Sequence, residues 1–310
     1  MAILSQKRST TTPATASSHL RLPNRSLANA LLFLAIPVLM IAAYKYLPIF
    51  TALYNSTQAY NLAGQPVRFI GIDNYARTFG DPGFLQSLQL TFLFVIVKVP
   101  LQLVLGLLAA LFVMDTNRIN NFVRSSFFLP TVTPMVVVGL VFGFLFDREI
   151  GIINAVLSVF SIPKISWLLE PHLAQFVVIL LSIWRDAGFV MLVFLAGLQS
   201  IPAQVLEAAQ MDGASRWQTL RYIQVPLLRR TIQFALIFVT AASFQLFAPI
   251  FVVTHGGPQG ATDVLAYRIY ETAFQFFDWG AANAMSVVVL VILIVITLIE
   301  LRLLRTEWEY

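Results

Sequence analysis

"EAAQMDGASRWQTLRYIQVPLL", residues 207–228, is a polar, helix-prone stretch set between two runs apolar enough to live in lipid. Glu207 through Met211 are good helix formers, and Gly213 follows where a helix C-terminus favours glycine. Ser215 is placed to cap a second helix, and Pro226 lacks the amide that a helix interior needs. The stretch therefore reads as helix, tight turn, helix and return to the membrane. Leu206, Ala209, Met211, Trp217, Leu220 and Ile223 are expected to share one apolar side. Glu207, Asp212, Arg216 and Arg221 form the polar side. Such a loop either lies on the lipid surface or projects as a knob into another protein's groove.

The rest of the chain explains why a polar loop stands out. Of 310 residues, 58% are hydrophobic and only 11% charged, against about 25% charged in soluble domains. The fold class is all-α: a polytopic membrane protein. Six spans are expected, at about 27–50, 87–113, 125–146, 173–196, 231–254 and 283–303, each near the roughly 20 residues that cross a bilayer. Pro37, Pro48, Pro100, Pro130 and Pro134 are expected kinks or span ends. With the N-terminus inside, twelve Lys/Arg fall on inner segments, five on outer segments and three within spans. The positive-inside rule then makes both termini and the 207–228 loop cytoplasmic.

Residues 1–26 are rich in Ser, Thr and basic groups and read as a disordered cytoplasmic tail, ahead of a membrane domain over 27–310. Cleavage as a signal peptide is disfavoured because the first apolar run is too long. The outer segments carry turn signals such as "DPG" at 81–83 and "HGGP" at 255–258 and are expected to be loops and short surface helices. No tandem repeat is visible.

Several chemistries are excluded or weakened. The chain has no cysteine, so no disulfide, thiol nucleophile or thiolate metal site. The net charge of +5 is scattered, which does not suit nucleic acid. His19, His172 and His255 lack metal-ligand spacing and no nucleophile–base pattern appears, so neither an enzyme nor a metal site is indicated. No phosphate-binding loop of the G-x-x-x-x-G-K-[ST] type is present. Energy for transport must then come from another chain or from an ion gradient. An ion-coupled carrier keeps ionisable groups within its spans, and here these are few. Lys45 is expected to snorkel outward. Lys98 either pairs with a neighbouring helix or faces the pathway. Arg185 and Asp186, being adjacent on a helix, are expected not to pair with each other.

The spacing Glu207-Ala208-Ala209, Gly213, Ile223 and Val225-Pro226 resembles the EAA loop of bacterial ABC importer permeases, with Val225 where that family has Leu. Residues 194–218, "SFQLF" at 243–247, "THGGP" at 254–258, 268–304, "FIGIDNYARTF" at 69–79 and "FFLPTVTPMVV" at 127–137 resemble the carbohydrate-transporting, maltose-type permeases. The likeness runs from about 27 to 305. It implies a multi-pass protein of the bacterial inner membrane. It also implies half of a heterodimeric pathway, completed by a second homologous permease. Partners would be dimeric ATPase subunits, which hold the ATP and Mg, and an extracytoplasmic solute-binding protein. This chain would bind no cofactor itself. The coupling residues it implies are Glu207, Ala208, Ala209, Asp212, Gly213, Arg216, Ile223 and Pro226. Glu207 would meet the ATPase, and Gly213 would permit the turn.

The solute would be a sugar or oligosaccharide, with glycerol 3-phosphate or a glycerophosphodiester as the alternative. Trp184, Arg185, Phe189, Phe244, Gln245, Phe247 and Asn283 are the pathway candidates. Each aromatic has helix packing as its plainer role. Gln245 has interhelical hydrogen bonding as its alternative. Ala248 stands where the family often has an acidic residue.

Overall fold

The computed structural model describes residues 24–304, except Leu62 and Thr116. The chain divides into two units, one ending at Thr51 and one beginning at Ala52. In the first, helix α1 (Asn24–Ile41) contains Pro37 and passes through a π turn, Ala42–Tyr46, into α2 (Leu47–Asn55), whose last four residues already belong to the second. Lys45 lies in that π turn. Residues 1–23 of the expected 1–26 tail lie outside the described residues, and Asn24 to Ser26 begin α1.

The second unit opens with a feature the sequence did not suggest, a short antiparallel ribbon of β1 (Gln58–Tyr60) and β2 (Pro66–Phe69). Then come α3 (Asp73–Gly80) and α4 (Pro82–Phe112). Asp81 caps α4 by accepting from the amides of Gly83 and Phe84, at 3.0 and 3.3 Å. Pro82 fits the first turn, where its missing N–H has no partner to lose. Pro100 neither ends nor divides α4; spanning helices tolerate proline.

The expected third span departs most from expectation. It is two helices, α5 (Arg118–Val132) and α6 (Met135–Leu145), bent by 100°. The cause is Pro134. The residue before a proline is driven out of the helical region, and Thr133 adopts φ −76°, ψ 134°. After α7 (Ile152–Val159) comes α8 (Pro171–Gln199), unbroken over 29 residues. The polar loop holds α9 (Ala203–Met211), α10 (Arg216–Thr219), a π turn and α11 (Val225–Leu227). The expected fifth span is α12 (Arg229–Phe244) and α13 (Ala248–Val253), interrupted at Gln245–Phe247. Helices α14 (Leu265–Phe274) and α15 (Trp279–Leu303) complete the fold.

Five helical runs among the described residues are long and apolar enough to cross a membrane, and the α5–α6 pair makes up to six. Helices α4, α8 and α12 pack together through Val99, Met191, Phe194, Leu198, Leu228 and Val239. Gly188 of α8 lies directly on α5. A Cβ there would meet the Phe127 carbonyl oxygen at 2.1 Å, so only glycine allows this approach of two backbones. Three residues before Gly188, the Arg185 carbonyl accepts from the Thr131 hydroxyl at 3.0 Å and ties the same two helices.

Candidate functional site

The elbow at 207–228 is built by local rules. The Gly213 amide donates to Gln210 O and the Ala214 amide to Ala209 O, both at 3.0 Å, the paired bonds of a glycine-terminated helix. Gly213 has φ +76° with open space around it. Its glycine is therefore required by backbone conformation and not by crowding. Ser215 and Gln218 form a capping box: the Ser215 amide donates to Gln218 Oε1 at 2.7 Å, and the Gln218 amide donates to Ser215 Oγ at 3.3 Å.

Pro226 does not stop the chain's helical path, which continues through α11 after the π turn. Nor do the apolar residues share one side. Ala209 is buried, whereas Met211 is 88% and Trp217 65% exposed. Gly213, with its left-handed backbone, breaks the helical path between the two helices, so a single helical period cannot run through both. Glu207, Ala208, Asp212, Arg216 and Pro226 are exposed and Ile223 half-buried. The elbow thus offers solvent a mixed face of charge and large apolar groups.

A second site lies among the spans. A cavity of about 310 Å³ is bordered by α4, the α5–α6 pair, α8, α12 and the α12–α13 break. Both interrupted helices meet it, through Thr131 and Met135 and through Gln245 to Pro249. Interrupted helices free backbone and side-chain polar groups where an intact span would hide them.

Four of the seven pathway candidates line this cavity: Arg185, Phe189, Gln245 and Phe247. Phe189 faces Phe238 with ring centroids 4.5 Å apart, and Gln245 sits exposed at the break. The other three do not line it. Trp184 packs on Phe142 at 5.4 Å, turned away by its place on α8. Phe244 is buried edge-on against Phe92. Asn283 donates to Trp279 O of its own helix at 2.7 Å.

The sequence reading missed how the charges assemble. Lys98, 1% exposed, donates to Asp186 Oδ2 at 3.3 Å and to Ser243 Oγ at 3.4 Å. Arg185 Nη1 donates to the other oxygen, Asp186 Oδ1, at 2.9 Å. The expectation that Arg185 and Asp186 stay apart is therefore corrected. Their Cβ atoms do diverge on the helix, but the arginine arm is long enough to swing back. The two readings of Lys98 also turn out to be compatible, since it pairs across to α8 and lines the cavity.

A third cluster grips the start of α4. Arg268 donates to Asp81 at 3.2 Å and to Asp263 at 3.5 Å. Burial pushes Asp263 up to about 6, aided by the charge of Glu271 and opposed by Arg268. Burial also raises Asp81, but the Gly83 amide and Arg268 outweigh it and leave the carboxyl below its ordinary value.

A bundle of long apolar helices, two of them interrupted around a cavity, with an exposed elbow, is the architecture of a transport subunit. The fold matches a chain of a bacterial alginate ABC transporter at TM-score 0.80, with 23% identity over 92% of this chain and 97% of that one. Residues 102–305 match the family described as binding-protein-dependent transport system inner membrane component. The chain is 34% identical to the sulfoquinovosyl glycerol transport system permease protein SmoG of Agrobacterium fabrum, over 90% of this chain and 91% of that protein. It is 32% identical to the lactose transport system permease protein LacF of Rhizobium radiobacter, over 85% and 90%. The chain belongs to the family of inner membrane components of binding-protein-dependent transport systems. It is a multi-pass permease subunit of an ABC transporter and not an enzyme.

Proposed function

We propose that this subunit forms half of the translocation pathway of an ATP-driven importer for a sugar or oligosaccharide delivered by an extracytoplasmic binding protein. A second homologous permease supplies the other half. Dimeric ATPase subunits hold the ATP and Mg and receive the 207–228 elbow in a cleft.

The exposed elbow carries this reading. Large apolar groups at Met211, Trp217 and Tyr222 stand in solvent beside Glu207 and Asp212. A rigid turn with uncovered apolar anchors is what a groove in a partner recognises. The cavity supports the solute class. Phe189, Phe238 and Phe247 offer ring faces, while Gln245, Gln102 and Arg185 offer hydrogen bonds, the pairing that suits a ring bearing hydroxyls. The permeases of lactose and sulfoquinovosyl glycerol systems among its relatives point the same way.

The test is made on the assembled importer. Glu207→Ala and Gly213→Val should lower ATPase co-purification and uptake together, with the permease still folded and membrane-inserted. Uptake and co-purification both unchanged would sink the coupling assignment.

A further inference from the structure

The charged groups lining the cavity are Lys98, Arg185 and Asp186. That is two cations and one anion, a net charge of +1. The single carboxylate is already shared, one oxygen to each cation. Uncompensated charge in an apolar bundle is unfavourable unless a counter-charge arrives. Arg185 is one-third exposed, and its Nε is buried without a hydrogen-bond partner. Asp186 occupies Nη1 only, so the guanidinium retains donors for a group with two oxygens. On α4, Gln102 also lines the cavity, and its Oε1 is a buried acceptor without a partner. Arg185 and Gln102 thus line one space, and each carries a buried polar atom without a partner. Their complement is a molecule with an acidic group at one end and a hydroxyl to donate.

We propose that the cavity binds a hydroxylated oxyanion, its carboxylate, phosphate or sulfonate on Arg185 and a hydroxyl on Gln102. This rests on the transport reading above and narrows its solute to an acidic one. Asp186, itself held by Lys98, fixes Arg185 through Nη1, so the site is set before the solute arrives. Phe189 and Phe238 wall the ring.

The test uses the assembled importer in nanodiscs of neutral lipid at fixed ionic strength. Melting temperature is followed against three matched pairs: glucuronate and glucose, trigalacturonate and maltotriose, glycerol 3-phosphate and glycerol. The acidic member of at least one pair should raise the melting temperature while its neutral partner does not, and the responding pair names the acid. Arg185→Gln should weaken that response roughly 10- to 100-fold, the worth of a charge-assisted hydrogen bond. Arg185→Lys should recover part of it. If Arg185→Gln fails to assemble, the wild-type pairs and Arg185→Lys still decide. Equal shifts from acidic and neutral members would overturn the charge assignment and leave the sugar reading standing; that outcome would also appear if the second permease neutralised the site. Shifts from neither member of any pair would count against both readings. An unchanged acid response in Arg185→Gln would overturn the role given to that residue.

Discussion

Helix α4 is held by two charge clusters of opposite balance. At its start, Arg268 lies between Asp81 and Asp263, one cation against two anions. In its middle, Asp186 lies between Lys98 and Arg185, one anion against two cations. The first cluster sits at a helix end, where amides of Gly83 and Phe84 share the load and solvent is near. The second sits in an apolar bundle, where a lone charge has few other partners. The same kinds of side chain are therefore a clamp in one place and a poised site in the other, and the surroundings decide which.

The largest effect should come from the middle cluster. Asp186→Leu leaves two cations unpaired and should cost about 3–5 kcal/mol, the loss expected when one partner of a buried pair is removed. Lys98→Met should cost less, because Asp186 keeps Arg185. Thermal unfolding of the assembled importer checks the order, and equal losses would mean that the lysine matters to the site as much as the carboxylate. Gly188→Ala comes next, at about 1–3 kcal/mol for overpacking, since its Cβ would enter the α5 backbone.

The end cluster should show itself through pH. Asp263 is raised from its ordinary 3.8 to about 6, so the folded state favours the proton. Its contribution to stability is full below about 4 and is lost as pH rises through about 6. The slope should reach at most about 1.4 kcal/mol per pH unit, and Asp263→Asn should flatten it in a melting series from pH 4 to 7. The elbow supplies the smallest effect. Gly213→Ala should cost about 1 kcal/mol for the left-handed backbone alone. Glu207→Ala, exposed, should change stability by less than about 0.5 kcal/mol while uptake falls.

The elbow was legible because its rules are short-range. Gly213 as a helix terminus and Ser215 as a cap depend on neighbours within a few residues, and the structure has both. The long apolar helices were legible from apolar run length. What failed was whatever depends on geometry between distant parts. Lys98 and Asp186 are 88 positions apart, and no local pattern pairs them. Pro134 signalled a break, but the 100° turn depends on how α6 packs afterwards. Of the aromatic candidates, Phe244 and Phe189 look alike in sequence; only the break at Gln245 decides which one meets the cavity. The β1–β2 ribbon is too short, at three and four residues, for alternation to reveal.

The contact between Gly188 and Phe127 has a mechanical consequence. With no side chain between them there, α5 and α8 meet backbone to backbone, with no soft layer at the contact. Helix α8 runs straight on from Arg185 to Gln199, about 21 Å at 1.5 Å per residue, and the elbow follows within a few residues. One unbroken helix therefore joins the cavity wall to the residues that lead into the elbow.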